Sequence, residues 1–452
     1  MQFLAQDSPN KVALSFEKHR LSFAELATAI KTMSLQLEKL PPGILILQAT
    51  PQPLFVIQLL AALTIGKPVA LFPPQELDWQ KRAILSTSMT VNEHGELIEI
   101  CENKGITHHP QLALVLFTSG STGQMKAVQL SLKNISANCR AVISALEFSQ
   151  VEDQLLFLPL SYSFGLLGQL LPGLIAGITT KLIPQFTDIK TLLESGKVPQ
   201  MWSGVPSHWV AMSKMAALFP ESAAKIKAVV SAGAPLSISL RDNLVHTFPK
   251  AIIYNNYGLT EASPRVLTYS SKDPSFLEDF AGYPIGDWQL RLSEDNELLI
   301  KGSQLMLGYL GGEEQQSRIQ DGWFLTGDLA EQLPSGLIAI KGRRDHIVNI
   351  AGEKVNLIEI EHKICQINGI KEVIVLPLAD ELYGIRLLAC MEQGCFAPNI
   401  TEQMLTEQLK QQFLPRKLPI SVRLLEKLPR NQHGKLDRKN LLLSQKDKIH
   451  AH

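Results

Sequence analysis

The feature that most constrains the fold of this chain is an early succession of buried strands and helices. Ile44–Leu47 and Pro68–Phe72 are apolar, as expected of strands covered on both faces, and Leu54–Leu63 between them is typical of a helix. Strands that alternate with helices indicate a parallel sheet, because parallel neighbours have to be joined by a crossover. A capping box formed by Ser22 and Glu25 predicts a further helix. We therefore expect an α/β fold.

Length and composition bound the class of protein. The chain has 452 residues, which is long for one domain, and its 45% apolar and 19% charged residues fit a soluble globular enzyme. Lys+Arg and Asp+Glu are balanced at 43 each, so we expect no attraction to nucleic acid or anionic lipid. The five cysteines are odd in number and form no Cys-x-x-Cys pair, which predicts reduced structural thiols in the cytoplasm.

No segment of the chain is typical of a membrane or secretory sequence. Met1–Asp7 lacks a basic region followed by an apolar core, so we expect no secretory signal. The most apolar window, Leu166–Ile183, is interrupted by Gln169, Lys181, a proline and glycines. Because a span needs about 20 apolar residues, we predict a buried helix in this window and no membrane span.

A polar loop follows the apolar run Leu112–Phe117. Gly120 and Gly123 allow a sharp turn and bring backbone N–H groups close to a ligand. The side chains that supply hydroxyl donors and a positive charge are Thr118, Ser119, Ser121, Thr122 and Lys126. This is the chemistry of a loop that wraps a polyphosphate, although the spacing excludes a Walker A motif. The alternative is a flexible loop with an incidental lysine, which would not need so many small polar residues in succession.

The loop resembles the signature loop of the adenylate-forming enzymes, which include acyl-CoA synthetases, peptide-synthetase adenylation domains and luciferases. Tyr257–Glu261 is similar to a second signature of that family, and Leu428–Arg438 is similar to its closing motif. Met125 stands where a proline is common and Ala127 where a glycine is common, and both changes alter the stiffness of the loop. The resemblance extends over roughly residues 20 to 440, and the length resembles that of the smaller acyl-CoA synthetases.

The resemblance implies which residues bind ATP and which act in catalysis. Thr260 would bond a phosphate, Glu261 would hold Mg²⁺, and Lys435 corresponds to the reactive lysine of the closing motif. Tyr257 can stack on a flat base, and Asp328 can accept both ribose hydroxyls, with a solvated turn aspartate as the alternative. The residues implied to bind the nucleotide are Thr118, Ser119, Gly120, Ser121, Thr122, Gly123, Lys126, Gly233, Ala234, Pro235, Asn256, Tyr257, Gly258, Asp328 and Arg343.

The candidates for the acyl pocket are Tyr162, Ser207 and Arg265. Tyr162 stands where the family often carries a histidine or aromatic residue near the acyl group, and a tyrosine that caps a strand end is the alternative. The fork of donors on Arg265 would match a second carboxylate on the acid, whereas the alternative is an arginine that faces solvent or pairs with a local acid. The identity of the acid does not follow from these residues.

The resemblance also implies a division at Asp345, the family's pivot. Residues 1–344 would form a large domain of parallel sheets wrapped by helices, with the nucleotide and acyl sites. Residues 345–452 would form a small mobile α+β domain that carries Lys435. The implied activity is an ATP-dependent acid–thiol ligase that uses Mg²⁺ and coenzyme A.

Three alternatives to this activity remain open. The acceptor thiol could be the phosphopantetheine of a carrier protein instead of coenzyme A. The protein could be a nucleotide hydrolase, although the missing Walker geometry argues against it. It could also be a non-catalytic binder of acyl chains or nucleotides, which Lys435, Glu261 and Asp328 argue against.

Overall fold

The protein divides into two compact units. The computed structural model describes residues 3–74, 79–103, 105–119, 125–310, 318–350, 353–367, 370–380, 384–397, 399–413, 418–430, 436–438, 440–442 and 444. The first unit comprises Met1–Arg291, Leu299–Thr326 and Gln332–Ala339, and the second comprises Leu292–Leu298, Gly327–Glu331 and Ile340–His452. The boundary between residues 344 and 345 that the sequence predicts stays a prediction.

A nine-stranded sheet in the first unit has a parallel centre. Its strands, in spatial order, are Tyr283–Pro284, Arg265–Ser270, Ile252–Gly258, Ala228–Ser231, Met201–Gly204, Asp153–Leu156, Thr179–Leu182, Val12–Phe16 and His19–Ser22. Every pairing from Ile252–Gly258 to Val12–Phe16 is parallel, and the outer pairings are antiparallel. The central strands Ala228–Ser231 and Met201–Gly204 are buried along their whole length, because helices connect parallel neighbours across the faces.

A seven-stranded sheet in the same unit contains the predicted early strands. In spatial order its strands are Gly308–Leu310, Met125–Leu130, Leu114–Ser119, Val69–Phe72, Ile44–Gln48, Ser88–Val91 and Leu97–Cys101. Ile44–Gln48 pairs in parallel with two neighbours, Val69–Phe72 and Ser88–Val91. The strand predicted before the polar loop is present and forms an antiparallel hairpin with Met125–Leu130. The predicted α/β class is confirmed.

The α-helices of the first unit include the two helices that were predicted near the start of the chain. They are Phe23–Leu37, Pro53–Thr64, Trp79–Ala83, Leu132–Ala145, Ser163–Gly165, Leu171–Ala176, Asp188–Ser195, Pro206–Ala217, Pro220–Ala223 and Ile238–Thr247. The capping box is confirmed: the Ser22 N–H donates to Oε2 of Glu25 at 2.7 Å, and the Glu25 N–H donates to Oγ of Ser22 at 3.2 Å. Short 3₁₀ turns form at Phe148–Gln150 and Thr260–Ala262.

The apolar window Leu166–Ile183 is only partly helical, so the predicted helix was too long. Leu166–Leu170 is a π-helix that continues as the α-helix Leu171–Ala176, and Thr179–Leu182 is a strand. The helix ends because Gly177 adopts a left-handed conformation with φ of 72°, which glycine tolerates at a helix C-terminus. No helix in the described part of the chain has the length and apolar character needed to cross a membrane.

The remaining strands form smaller sheets. One sheet has the order Gln289–Leu292, Glu297–Lys301, Trp323–Gln332 and Ile319–Gln320, and Ile338–Arg343 pairs with Trp323–Gln332. Later in the chain, a hairpin consists of Ile347–Ile350 and Glu353–Asn356, and a three-stranded sheet consists of Ile374–Asp380, Gly384–Glu392 and Ile420–Leu425. The helices Leu357–Cys365 and Glu402–Gln412 pack on this sheet around a shared apolar core, which makes the second unit α+β, as predicted.

Candidate active site

Lys126 and Glu261, which come from the two separate motifs, meet at Tyr309. The strand Gly308–Leu310 pairs with Met125–Leu130 and places Tyr309 in the unit's interior, where its side chain is 1% exposed. Nζ of Lys126 lies 5.0 Å from the centroid of the Tyr309 ring, a distance that allows a cation–π interaction. The Tyr309 hydroxyl donates to Oε1 of Glu261 at 2.7 Å. A predicted phosphate-binding cation and a predicted magnesium ligand therefore contact the same tyrosine, one at its ring and the other at its hydroxyl.

The polar loop connects the two strands of a hairpin. Thr118 pairs with Lys126 in the antiparallel ladder, so both side chains lie on the same face of the sheet. Gly120, Ser121, Thr122 and Gly123 lie outside the described residues, and only the backbone of Ser119 is described. The described part of the hairpin thus places a hydroxyl and a cation side by side at the base of the loop.

The second motif forms a tight turn that holds Thr260 and Glu261. A Cβ at Gly258 would lie 2.0 Å from the carbonyl oxygen of Pro264, so only glycine fits where the chain folds back on itself. Oγ1 of Thr260 lies 3.1 Å from Oγ of Ser163, within hydrogen-bond distance. The Glu261 carbonyl accepts a hydrogen bond from the Met306 N–H at 2.8 Å. The motif is thereby connected both to the segment after Tyr162 and to the segment before Tyr309.

Four of the predicted site segments follow neighbouring parallel strands. Tyr162, Ser207, the Gly233–Pro235 turn and Tyr257 lie after or at the carboxyl ends of strands that are adjacent in the nine-stranded sheet. In α/β sheets, ligands bind in the crevice outside the carboxyl ends of parallel strands. The fold therefore brings these segments to the edge of the sheet where a ligand site is expected.

Asn256 is buried, and its amide is used within the protein. Its Nδ2 donates to the Ser231 carbonyl at 3.1 Å, and its Oδ1 accepts from Oγ1 of Thr268 at 2.7 Å. Ser231 is the last residue of the strand that leads into the Gly233–Pro235 turn. Asn256 therefore connects this turn to the strand of Tyr257, and a direct contact of its side chain with a nucleotide stays a prediction.

His208 adds an aromatic surface beside Ser207, which is itself exposed at the start of the helix Pro206–Ala217. The His208 ring stacks on Phe186 with centroids 5.3 Å apart and meets Phe157 edge-on at 5.1 Å. Burial lowers the pKa of His208, and its Nδ1 accepts the Val205 N–H at 3.3 Å. The ring is therefore neutral at pH 7, with its proton on Nε2.

Asp328 and Arg343 contact each other in the second unit. Nη1 of Arg343 donates to Oδ1 of Asp328 at 3.1 Å, and Asp328 is 8% exposed. The Glu297 carboxylate holds the residue next to each member of this pair. It accepts a hydrogen bond from the N–H of Gly327, which precedes Asp328, at 2.8 Å. It also accepts one from Nη1 of Arg344, which follows Arg343, at 2.9 Å. Glu297 was not among the site residues predicted from the sequence. A cation beside a buried carboxylate suits recognition of a polar, charged ligand such as a ribose phosphate.

Lys435 lies outside the described residues, and only the backbone of Asp345 is described. Close to Lys435 in sequence, Arg438 donates from Nη2 to Oε1 of Glu361 at 2.5 Å and from Nη1 to the Val375 carbonyl. Glu361 also accepts the Val375 N–H at 2.6 Å. The end of the closing motif is thus held to the helix Leu357–Cys365 by a largely buried ion pair.

The described residues contain no group of three or more histidine, cysteine, aspartate or glutamate side chains that could hold a metal. Mg²⁺ in nucleotide sites is usually held by one or two carboxylates together with substrate phosphates and water. Glu261 supplies one carboxylate, and Tyr309 orients it beside the Lys126 cation. These residues fit a magnesium ion that arrives with a polyphosphate.

Comparisons with known proteins show the family and the fold of the chain. The family model described as AMP-binding enzyme matches residues 74–310, more than half of the chain. A 2-succinylbenzoate–CoA ligase of Staphylococcus aureus (strain MRSA252) is 28% identical over 341 residues, which cover 73% of this chain and 66% of that relative. The match therefore spans slightly less than two thirds of the relative's own length.

Two solved structures have the same fold. ATP-bound MatB from Rhodopseudomonas palustris has a TM-score of 0.85 at 20% identity, with 98% of this chain and 97% of that chain covered. The o-succinylbenzoate coenzyme A synthetase MenE from Bacillus subtilis, in complex with ATP and magnesium ion, has a TM-score of 0.81 at 23% identity, with 98% of this chain and 99% of that chain covered.

Proposed function

The chain belongs to the AMP-binding enzyme family, and from this premise we propose that it is an ATP-dependent acid–thiol ligase. The observation that carries the proposal is the convergence of Lys126 and Glu261 on Tyr309. Two motifs that are distant in sequence supply a cation and a carboxylate at one place, as a magnesium–polyphosphate complex requires. A non-catalytic binder of acyl chains would not need this pair of charges.

The proposed chemistry begins by activating a carboxylic acid. A carboxylate is a poor electrophile, because its charge repels a nucleophile and oxide is a poor leaving group. Its oxygen attacks the α-phosphorus of ATP, the bond to the β-phosphate oxygen breaks, and pyrophosphate departs with the electron pair. The product is an acyl-AMP, a mixed anhydride. Lys126 and Lys435 are proposed to stabilise the negative charge that grows on the phosphates during this step.

In the second step the sulfur of a thiol attacks the acyl carbon of the acyl-AMP. The bond to the AMP oxygen breaks, AMP departs, and the thiol proton passes to solvent. Coenzyme A is proposed as the thiol, because the Staphylococcus aureus relative is named a CoA ligase and the Bacillus subtilis structure a coenzyme A synthetase. By the same names, 2-succinylbenzoate is the first acid to test. A cytoplasmic location stays a prediction.

We propose a role for each of the predicted nucleotide-binding residues. Tyr257 would stack on the base next to the Gly233–Pro235 turn, and Thr260 would bond a phosphate. Asp328 would accept the ribose hydroxyls, with Arg343 beside it. Mg²⁺ bound to Glu261 would neutralise charge on the phosphates. Because Lys435 lies in residues 345–452, a rotation at Asp345 is proposed to bring this lysine to the site for the first step only.

Pyrophosphate release, measured with ATP, Mg²⁺ and a panel of carboxylic acids, tests this function. We expect release that depends on the acid, and coenzyme A should convert the acyl-AMP into a thioester. Phosphate release without any acid would indicate a hydrolase, and no release with any acid would indicate a binding protein. A carrier protein as the only effective acceptor would replace coenzyme A in the proposal.

A pair of matched variants shows whether the site itself is responsible for this release. Glu261→Gln should abolish most of the acid-dependent release, because the proposed magnesium ligand loses its charge. Glu221→Gln is the control, since Glu221 is an exposed acid at the start of the short helix Pro220–Ala223. Equal activity of the two variants would contradict the proposed role of Glu261.

A further inference from the structure

The helix Leu132–Ala145 carries two buried asparagines, Asn134 and Asn138, one turn apart. Residues four positions apart lie on the same face of a helix. Nδ2 of Asn134 donates to the Ser303 carbonyl at 2.8 Å, and Nδ2 of Asn138 donates to Oε1 of Gln304 at 2.5 Å. This face of the helix is therefore hydrogen-bonded to a segment that lies far away in the sequence.

Asn138 also holds the turn that contains Glu261. Its Nδ2 donates to the carbonyls of Ala262 at 3.2 Å and of Arg265 at 2.9 Å, and its Oδ1 accepts the Arg265 N–H at 3.3 Å. Asn138 is 0% exposed and Arg265 is 2% exposed. The three bonds require a donor and an acceptor on the same short side chain, which an amide supplies. One buried amide thus fixes the backbone from Ala262 to Arg265.

Gln304 holds the same turn through its backbone and is itself anchored through its side chain. Its carbonyl accepts a hydrogen bond from Oγ of Ser263 at 2.8 Å, and its Nε2 donates to Oδ1 of Asp287 at 3.0 Å. Two residues later, the Met306 N–H donates to the Glu261 carbonyl at 2.8 Å. Gln304 is 0% exposed, whereas Asp287 is exposed, so a charge-assisted bond connects the buried amide to the surface.

A buried network in which both amides are paired fixes one arrangement of the backbone. Removal of either amide would leave its buried partners without a hydrogen bond, which is costly. Apolar side chains of the same shape would stabilise the interior about as well, because the net gain from a hydrogen bond is small. The network therefore serves the geometry of the turn more than the stability of the unit, and the side chain that this turn presents is Glu261.

We propose that Asn138 and Gln304 are positioning residues for adenylation, which set the direction in which Glu261 presents its carboxylate to Mg²⁺. This inference rests on the proposed function, in which Glu261 is the magnesium ligand. Tyr309 holds the carboxylate itself, whereas the two amides hold the backbone from which the carboxylate extends. A misplacement of about 1 Å at a reacting group can lower a rate by about 10²-fold, so a small movement of this turn is sufficient.

Gln304→Met tests the proposal, because methionine keeps the length of the side chain and removes both polar atoms of the amide. Acid-dependent pyrophosphate release should fall by about 10- to 10²-fold, the usual effect of losing an outer partner of a metal ligand. Calorimetric titration with ATP and Mg²⁺, without any acid, should show affinity weakened by about tenfold. Asn138→Leu should have the same effects. The double variant should be little worse than the more impaired single variant, because both residues act through one network.

Gln154→Met is the matched control. Gln154 is also 0% exposed, and its Nε2 donates to the Gln169 carbonyl at 3.1 Å and to Oγ1 of Thr180 at 2.8 Å. Both glutamine variants should lower the melting temperature by a few degrees, because each loses buried hydrogen bonds. Only Gln304→Met should also weaken the binding of ATP with Mg²⁺.

Ser263→Gly is a milder variant that keeps the test decisive if Gln304→Met does not fold. Ser263 has a φ of 63°, which glycine adopts without strain, so the substitution removes the bond to the Gln304 carbonyl and leaves the backbone free of new strain. The affinity for ATP with Mg²⁺ should fall by about fivefold, the scale of one neutral hydrogen bond. Unchanged affinity and an unchanged rate of pyrophosphate release in this variant would count against the proposal.

The outcomes separate this inference from the ligase function. If Gln304→Met and Gln154→Met bind ATP with Mg²⁺ equally and release pyrophosphate at rates within about twofold of each other, the network is only structural and the inference is overturned. Acid-dependent release by the wild type would still support the ligase function in that case. If the wild type releases no pyrophosphate with any acid but Gln304→Met binds ATP with Mg²⁺ more weakly than Gln154→Met, the ligase function fails and the positioning role stands.

Discussion

Replacing Tyr309 with phenylalanine tests whether the hydrogen bond to Glu261 supports adenylation. The hydroxyl donates to Oε1 of Glu261 at 2.7 Å, and Nζ of Lys126 lies over the ring of Tyr309. Phenylalanine keeps the ring beneath Lys126 and the packing of the strand Gly308–Leu310, so the substitution removes little besides one donor. We expect Glu261 to lose its fixed orientation while the cation–π contact remains.

The size of the effect follows from the type of hydrogen bond. A bond to a charged acceptor contributes about 1.5–3 kcal/mol. If the oriented carboxylate matters mainly in the transition state, the adenylation rate falls by about 10- to 10²-fold, because each 1.4 kcal/mol corresponds to about a tenfold change. The concentration of Mg²⁺ needed for half-maximal rate should rise as well, since Glu261 is the proposed ligand.

The assay is acid-dependent pyrophosphate release under single-turnover conditions. Tyr269→Phe is the matched control, because Tyr269 is also 1% exposed and its hydroxyl donates to Oγ of Ser275 at 2.8 Å. This control should lose stability by about 1 kcal/mol, the typical contribution of a neutral hydrogen bond, without a change in rate. Rates for Tyr309→Phe and Tyr269→Phe within about twofold of each other would refute the reasoning.

Three further predictions concern the second unit and the predicted pivot. Lys435→Ala should lower adenylation at least about 10²-fold, because a preorganised charge-stabilising donor is lost. Thioester formation from supplied acyl-AMP should survive, and equal losses in both half-reactions would contradict two domain arrangements. Asp345→Pro, which restricts φ to about −65° and removes an N–H, should lower one half-reaction far more than the other, whereas normal rates in both would place the pivot elsewhere. Glu361→Leu should lower the unfolding free energy by about 3–5 kcal/mol, since it leaves Arg438 largely buried without its partner. Adding Arg438→Leu should recover most of that loss in urea denaturation, and a double variant as unstable as the single one would show that the pair is not the cause.

Local features of the fold were predictable because short-range interactions decide them. The capping box at Ser22 and Glu25 needs only residues three positions apart, and the structure contains it. Apolar runs such as Ile44–Leu47 form strands because their side chains have to be buried on both faces. The helix predicted within Leu166–Ile183 was wrong at its end, because a long-range strand pairing overrides the local helical preference there. Thr179–Leu182 is a strand that pairs in parallel with Asp153–Leu156.

The candidate site was predictable as a set of residue types but not as an arrangement. Thr260, Glu261 and Lys126 belong to local motifs whose chemistry suits phosphate and magnesium. Tyr309, which contacts both Lys126 and Glu261, carries no local signal for that role, because the contact spans 48 positions between Tyr309 and Glu261. Only the pairing of the strand Gly308–Leu310 with Met125–Leu130 places the ring there.

The sequence by itself therefore determined the α/β class, the order of the motifs and the types of side chain available for phosphate chemistry. The tertiary structure alone decided the state of Arg265, which is buried, whereas the sequence allowed a place in the acyl pocket, exposure to solvent or a pair with a local acid. Burial and pairing of a side chain depend on what distant segments pack against it, and here Phe164, Gly168 and Asn138 surround the arginine without supplying a carboxylate. The physical reason is that local patterns set backbone preferences, whereas the desolvation of a charge is a property of the packed chain.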